Sequence, residues 1–344
     1  MLRVLDQVPE GLLQAGAEAL EDLLGGPTLI HLEGGIAEPL FVSTLLHGNE
    51  HSGLQAVQAL LRRHAGGREL PRSLSWFIGN VAAARYHLRR LDGQPDYNRV
   101  WPGSAESDSP EAVMMARIVE DMRARRVFAS VDVHNNTGLN PHYACVNRVD
   151  HRFLRLATLF SRTVVYFLRP LGVQSMAFAG LCPAVTVECG KSDQAFGGEH
   201  AERFLDACLR LHELPDQPVP EHDLDLFHTV ATVKVPTRLS FGFDATDHDI
   251  RLSSDLDHLN FRELPAGTSL GRVRAADGVG LEAWDEQGIE VGERFFRIED
   301  GEIRTIRALM PSMFTLDERV IRQDCLGYVM ERYPLAGHGD NRVD

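Results

Sequence analysis

The sequence predicts an α/β fold followed by a smaller, mostly β domain, and three observations carry that reading. Short apolar runs alternate with stretches of helical periodicity through the first two-thirds of the chain, the pattern of helices layered on a mostly parallel or mixed sheet. The stretch "LPDQPVPEHD" (214–223) then sets three prolines within six residues and breaks the alternation. Beyond it the texture changes to short β-like runs. The expected organisation is a main domain over 1–214, a Pro-rich linker over 215–223 and a β domain over 224–344.

The elements follow in order. "TLIHL" and "LFVSTLL" read as strands, joined by the turn-forming "EGGIAEP". Leu54, Val57, Leu60 and Leu61 recur at three- and four-residue spacing, so a helix is expected from near Ser52. "LSWFIG" reads as a strand, and "SPEAVMMARIVEDMRAR" as a helix opened by Ser109 and Pro110. "VFASVDV", "TVVYFL" and "AVTVE" are further buried-strand candidates, and "HAERFLDACLRLHEL" is again helical. In the last third, "TVATVKV", "TSLGRVRA", "RFFRIE" and "LGYVMER" are short strand candidates.

Composition excludes several classes. A chain of 344 residues with 44% hydrophobic and 24% charged residues can bury a sizeable core. A formal charge of -14 argues against nucleic acid as a partner, since phosphate binding needs a basic face. No run of about 18 apolar residues occurs, so no membrane span is expected. The amphipathic, acid-studded N-terminus does not read as a signal peptide. Five widely spaced cysteines without a C-x-x-C pair fit reduced thiols, and a cytoplasmic location is expected.

The chemistry begins at "LLHGNEHSG" (45–53), where an apolar run ends in His47 and, past Gly48 and Asn49, reaches Glu50. A catalytic zinc takes three protein ligands and keeps one position open, and two histidines with one glutamate are a recurring set. "SVDVHNNTG" supplies a third ligand in His134 at another strand end. Asp132, two residues earlier, is placed to accept a hydrogen bond from the ring nitrogen that faces away from the metal. "PAVTVECGKSD" ends a strand in Glu188, a carboxylate suited to moving a proton between water and a leaving amine. "RYHLRRLDGQPDYNRVWPG" gathers Arg85, Arg89, Arg90 and Arg99 around Asn98, forks that suit a carboxylate or a developing oxyanion. Each piece alone has a plainer reading: a solvated histidine, a strand-end glutamate paired with Lys191, an exposed basic loop.

Taken in order, HGNE, DYNR, DVHNN and VECG resemble the succinylglutamate desuccinylase/aspartoacylase family, a branch of the zinc carboxypeptidase clan. The likeness covers roughly residues 28–215. It implies a zinc-carboxypeptidase-like α/β/α domain with a mixed sheet, and "HLNFRELPAGTSLGRV" resembles the family's C-terminal β domain. It also implies one Zn2+ per subunit on His47, Glu50 and His134, with Glu188 as general acid/base. Arg89 would polarise the scissile carbonyl, while Asn98 and Arg99 would grip the free carboxylate of a small amide substrate. The implied reaction is hydrolysis of an N-acyl amino acid to a carboxylic acid and a free amino acid.

Two departures from the family pattern shape the expectations. Asp96 lies seven residues after Arg89, two more than in aspartoacylases, so Arg90 is an alternative to Arg89. Ten residues before Glu188, where aspartoacylases carry a substrate arginine, stands Phe178, pointing to a less charged or partly apolar amino-acid product. Competing readings are a metallocarboxypeptidase acting on small peptides, a silent binding protein that keeps the fold, and a cysteine hydrolase using Cys189 with His134 as base. "DATDHDI", with Asp244, Asp247, His248 and Asp249, reads as an acidic surface loop, and His51 as a non-ligand.

Overall fold

The computed structural model describes residues 1–64, 66, 68–105, 107–244, 247–274 and 280–334. Its strands are β1 (Arg3–Leu5), β2 (Thr28–Leu32), β3 (Gly34–Thr44), β4 (Leu70–Ile78), β5 (Ala129–Asn136), β6 (Tyr143–Val146), β7 (Thr163–Tyr166), β8 (Ala184–Lys191), β9 (Asp225–Lys234), β10 (Phe241–Gly242), β11 (Ile250–Leu252), β12 (Ser269–Val273), β13 (Glu282–Trp284), β14 (Phe296–Glu299), β15 (Glu302–Thr305), β16 (Met310–Ser312) and β17 (Gly327–Arg332). The helices are α1 (Leu20–Leu24), α2 (Ser52–His64), α3 (Val81–Ala84), α4 (Pro110–Ala124), α5 (His151–Thr158), α6 (Gln174–Phe178), α7 (Ala195–Arg210) and α8 (Glu318–Gln323).

The chain divides into two units. One takes residues 1–135, 142–166 and 170–225; the other takes 136–141, 167–169 and 226 onward. In the first unit the strand order is β1-β2-β4-β3-β5-β8-β6-β7. β3 runs parallel to both β4 and β5, whereas β2 is antiparallel to β4 and β6 to β8, so the sheet is mixed. α2 packs on α7, and α7 lies against β4 and β8. The central strands are buried on both faces, which is why "LFV", "SWFI" and "SVDV" lack the alternation of a half-exposed strand. Arg72 is buried inside this layer at 1% exposure, its guanidinium 3.7 Å from the Phe128 ring centroid. It donates to the carbonyls of Glu38 and Leu211, which fastens β3 to the end of α7.

In the second unit β9 pairs β17, β17 pairs β16 and β13 pairs β9. A separate five-stranded sheet runs β10-β11-β12-β15-β14. Val233, Ile250, Leu270, Phe295, Ile303 and Val329 belong to the core of this second unit.

The cap of α4 is as expected: the Ser109 hydroxyl accepts from the Ala112 N–H at 3.1 Å, with Pro110 in the first turn. α2 starts at Ser52. "EGGIAEP" does not form a hairpin turn. β4 lies between β2 and β3, and Gly34 already pairs with Leu70. A Cβ on Gly34 would fall 2.4 Å from the Arg72 carbonyl carbon, so glycine is there for a close strand approach. A register shift between Ile36 and Leu40 absorbs the irregular stretch. Among the described residues no helix is long and apolar enough to cross a membrane, and the five cysteines are buried free thiols.

Candidate active site

The loop that follows β3 is aimed by local backbone geometry. Leu45, fully buried, takes the left-handed conformation (φ 54°) that only over-determined surroundings hold in a non-glycine residue. Its carbonyl accepts from Asn80 N at 2.6 Å and that of Thr44 from Gly79 N at 3.0 Å. The chain thus leaves the sheet against the end of β4. Gly48 comes next, where a Cβ would lie 2.2 Å from the Ala84 nitrogen, so no side chain fits. Gly48 N donates to the Arg89 carbonyl at 3.1 Å, joining this loop to the arginine segment.

His47, Glu50 and His134 converge. His47 Nδ1 is 2.8 Å from Glu50 Oε1, and His134 Nδ1 is 2.6 Å from Glu50 Oε2. One ligand atom from each of the three lies within 4.8 Å of the others, all buried. The far nitrogen of each ring is backed by a carboxylate: His134 Nε2 by Asp132 at 2.7 Å, and His47 Nε2 by Asp96 at 3.0 Å. Asp132 is in turn fixed by the Ser43 hydroxyl at 2.7 Å. This is how ligating histidines are oriented, with Nδ1 of both left to face a common point. His134 is the sixth residue of β5 and Glu188 the fifth of β8; both strands run past the positions where the sequence suggested they end.

The electrostatics suit a cation. Glu50, Asp132 and Glu188 are each at most 6% exposed, and Asp96 is nearly as buried. Burial works to raise the Glu50 carboxyl, but the His47 and His134 rings override it and hold it far below the usual range. Asp96 is likewise held well below that range, by Arg89 and His47 against burial. Burial would lower His134, yet Asp132 and Glu50 drive it well above the ordinary imidazole value. Glu188 is pushed up to about 8, chiefly by burial, with Glu50 and Asp132 adding to it and His134 and Arg89 opposing. Two imidazoles converging with one carboxylate, ringed by further buried carboxylates, suit a divalent cation, and Zn2+ in particular.

The arginine cluster separates. Arg89 places Nη2 2.9 Å and Nε 3.2 Å from Asp96 Oδ2, and its Nη1 lies 3.4 Å from His47 Nδ1. Arg90 turns away to donate to the Gln94 carbonyl, and Arg85 is exposed against Glu21 and Asp22. An Asn80–Gln94 side-chain pair at 2.9 Å pins the loop that carries them. Asn98 accepts from Gln174 N on its Oδ1 at 3.0 Å, which presents its NH2 group 3.1 Å from His134 Nε2. Arg99 donates to the Asn98 carbonyl at 2.8 Å and bears electrostatically on Asp96.

Three further positions bear on the alternatives. Phe178 is fully buried and stacks on Phe41, centroids 4.5 Å apart, with Trp101 edge-on, so this position belongs to the core. Cys189 is fully buried, and burial with the Glu188 and Glu50 carboxylates pushes its thiol well above its usual range, so the cysteine-nucleophile alternative has no thiolate. His51 turns its Nε2 to the Gly48 carbonyl, 3.1 Å away, outside the converging trio. Asp96, which sequence reasoning used only as a spacing marker, proves to contact both His47 and Arg89. No local pattern marks these contacts, which reach back seven residues to Arg89 and 49 to His47.

Comparisons with known proteins identify the family and the fold. Residues 37–214 fit the model of the succinylglutamate desuccinylase/aspartoacylase catalytic domain. Among solved structures, a succinylglutamate desuccinylase from Chromobacterium violaceum superposes with a TM-score of 0.54 at 20% identity, over 87% of this chain and 86% of that one. A succinylglutamate desuccinylase/aspartoacylase from Rhodobacter sphaeroides gives 0.58 at 17%, over 88% of each. Murine aminoacylase 3 gives 0.56 at 14%, over 87% and 96%. At these identities the likeness is one of fold. No curated protein matches the chain in sequence. Because the family model spans more than half of its residues, the chain belongs to the succinylglutamate desuccinylase/aspartoacylase family.

Proposed function

We propose that the protein is a zinc-dependent amidohydrolase that cleaves an N-acyl amino acid into a carboxylic acid and a free amino acid. The observation that carries this reading is the convergence of His47 Nδ1 and His134 Nδ1 on Glu50, each ring backed by its own carboxylate. His47, Glu50 and His134 would hold one Zn2+. When bound, the ion supplies Lewis acidity, polarising a carbonyl and making water more acidic.

The chain's own residues supply the rest. Glu188, buried and pushed up to about 8, is a carboxyl able to take a proton from the attacking water and return it to the leaving amine. The Arg89 guanidinium, steadied by Asp96, supplies positive charge beside His47 for the oxyanion that develops as the carbonyl is attacked. Asn98, beside His134, and the Arg99 fork held to its carbonyl would be the donors for the free carboxylate of the amino-acid half.

Hydrolysis rates over N-acetyl and N-succinyl amino acids and dipeptides, before and after chelation and zinc return, test this reading. Chelator-sensitive, zinc-restored cleavage of N-acyl amino acids is expected. Activity untouched by chelation but abolished by thiol alkylation would overturn it, and cleavage of dipeptides alone would replace it with a carboxypeptidase.

A further inference from the structure

Asn135 directly follows His134 and joins three segments that the proposed chemistry uses. Its backbone N–H donates to Glu50 Oε2 at 3.2 Å. Its side-chain oxygen accepts from Ser52 N, the first residue of α2, at 3.1 Å. Its side-chain nitrogen donates both to the Ser52 hydroxyl and to the Gly190 carbonyl, each at 2.9 Å. Ser52 is two residues after Glu50, and Gly190 is two residues after Glu188. One carboxamide, 6% exposed, therefore spans the segment of a metal ligand and that of the proton-moving carboxyl.

The chemistry of the position is narrow. Ser52 N is one of the N–H groups that a helix start leaves without an intrahelical acceptor, so it needs an oxygen. The Gly190 carbonyl, in a left-handed turn (φ 72°), needs a donor. Only an amide offers an acceptor and two donors on one short plane. Aspartate lacks the donors, and serine is too short to reach both neighbours. Removing the amide leaves buried backbone groups unpaired on two sides, and each segment can relax on its own.

We infer that Asn135 is a positioning residue that locks Glu50 and Glu188 into one register, setting zinc affinity and turnover while leaving ground-state substrate binding alone. The inference rests on the functional reading above and adds a residue to it. Loss of an outer partner of this kind costs roughly 10–100-fold in metal affinity or activity.

Zinc affinity, measured by competition with a chromophoric chelator, and steady-state kinetics at saturating zinc test it on the full chain. Asn135→Ala is expected to weaken zinc binding and lower kcat, each about 10-fold or more, with KM within about twofold. Ser52→Ala removes one bond of the set, leaves the Gly190 bond in place, and should move both quantities by less. Should the alanine variant not fold, Asn135→Ser, which cannot span Ser52 and Gly190 together, carries the same expectation. A folded variant whose zinc affinity and kcat match the parent overturns the inference, as does a change in KM alone. A parent chain that binds no zinc overturns the functional reading first, and this inference with it.

Discussion

Asp96 and His47 are joined side chain to side chain, Oδ1 to Nε2 at 3.0 Å, across 49 residues of sequence. The other oxygen of Asp96 holds Arg89 at 2.9 Å. One buried carboxylate thus decides which nitrogen of His47 faces Glu50 and where the Arg89 charge sits. Asp96→Asn keeps the shape but removes the charge that both partners use. It should cost roughly 10–100-fold in zinc affinity or turnover, as loss of a ligand's outer partner does. Chelator competition and kcat measurements check this, and parental values in both would refute the assignment.

Glu188→Gln should keep bound zinc while losing roughly 10²–10⁴-fold in kcat, the range general acid/base catalysis contributes. The amide preserves volume in a site where Glu188 is 4% exposed, so folding should survive. The wild-type rate should also climb with pH as the carboxyl ionises. That limb should lie below pH 8, since a neighbouring cation would lower the value burial alone produces. Metal content by emission spectroscopy and a pH–rate profile give the readout; a glutamine variant with wild-type turnover would remove Glu188 from the mechanism.

What could be read from the sequence, and what could not, follows from how local each signal is. The convergence of His47, Glu50 and His134 is legible because potential ligands stand within a few residues of where apolar runs stop. α4 was legible because Ser109 and Pro110 mark its start by themselves. The burial of Phe178 is not legible, because counting back from Glu188 gives a position but no side-chain direction, and the aromatic packing of Phe41 and Trp101 decides that. "EGGIAEP" was misread for a related reason: its composition favours a turn, but pairing with β4, distant in sequence, draws Gly34 into a strand. The contacts of Asp96 depend on the Asn80–Gln94 clasp and the whole path of the intervening loop, which no local pattern encodes.

Zinc should stabilise the protein more as pH rises. Burial alone would lower His134, but Asp132 and Glu50 raise it well above its ordinary value in the metal-free fold. A raised group contributes its full stability below the unfolded value and loses it as pH climbs through the folded one. Glu188 acts in the same direction, because the folded chain holds its proton up to about 8 while the unfolded chain releases it earlier. Glu50 and Asp96, both held low, stay ionised across the neutral range and do not change this trend. Zinc on the proposed ligands would require a deprotonated His134 ring, so metal binding would gain where the metal-free protein weakens. Thermal melts with EDTA and with zinc, at about pH 6 and about pH 8.5, should show a falling metal-free Tm and a widening zinc increment. An increment that shrinks with pH would contradict the protonation state assigned to His134.

Gly48→Ala should damage both stability and the metal site, because the two share one close contact. The methyl group would fall 2.2 Å from Ala84 N and 2.4 Å from the Ala83 carbonyl carbon, backbone atoms with no rotamer to move. Either the loop carrying His47 and Glu50 shifts, or α3 and the Arg89 segment bonded to Gly48 N do. Forced overpacking of this kind costs typically about 1–3 kcal/mol. Any shift also disturbs the His47–Glu50 distance of 2.8 Å on which the proposed ligation would depend. Urea denaturation should therefore show a lower midpoint, and zinc affinity should fall in parallel. A variant with parental stability and parental zinc affinity would mean that the HGNE loop tolerates a side chain where the fold leaves no room for one.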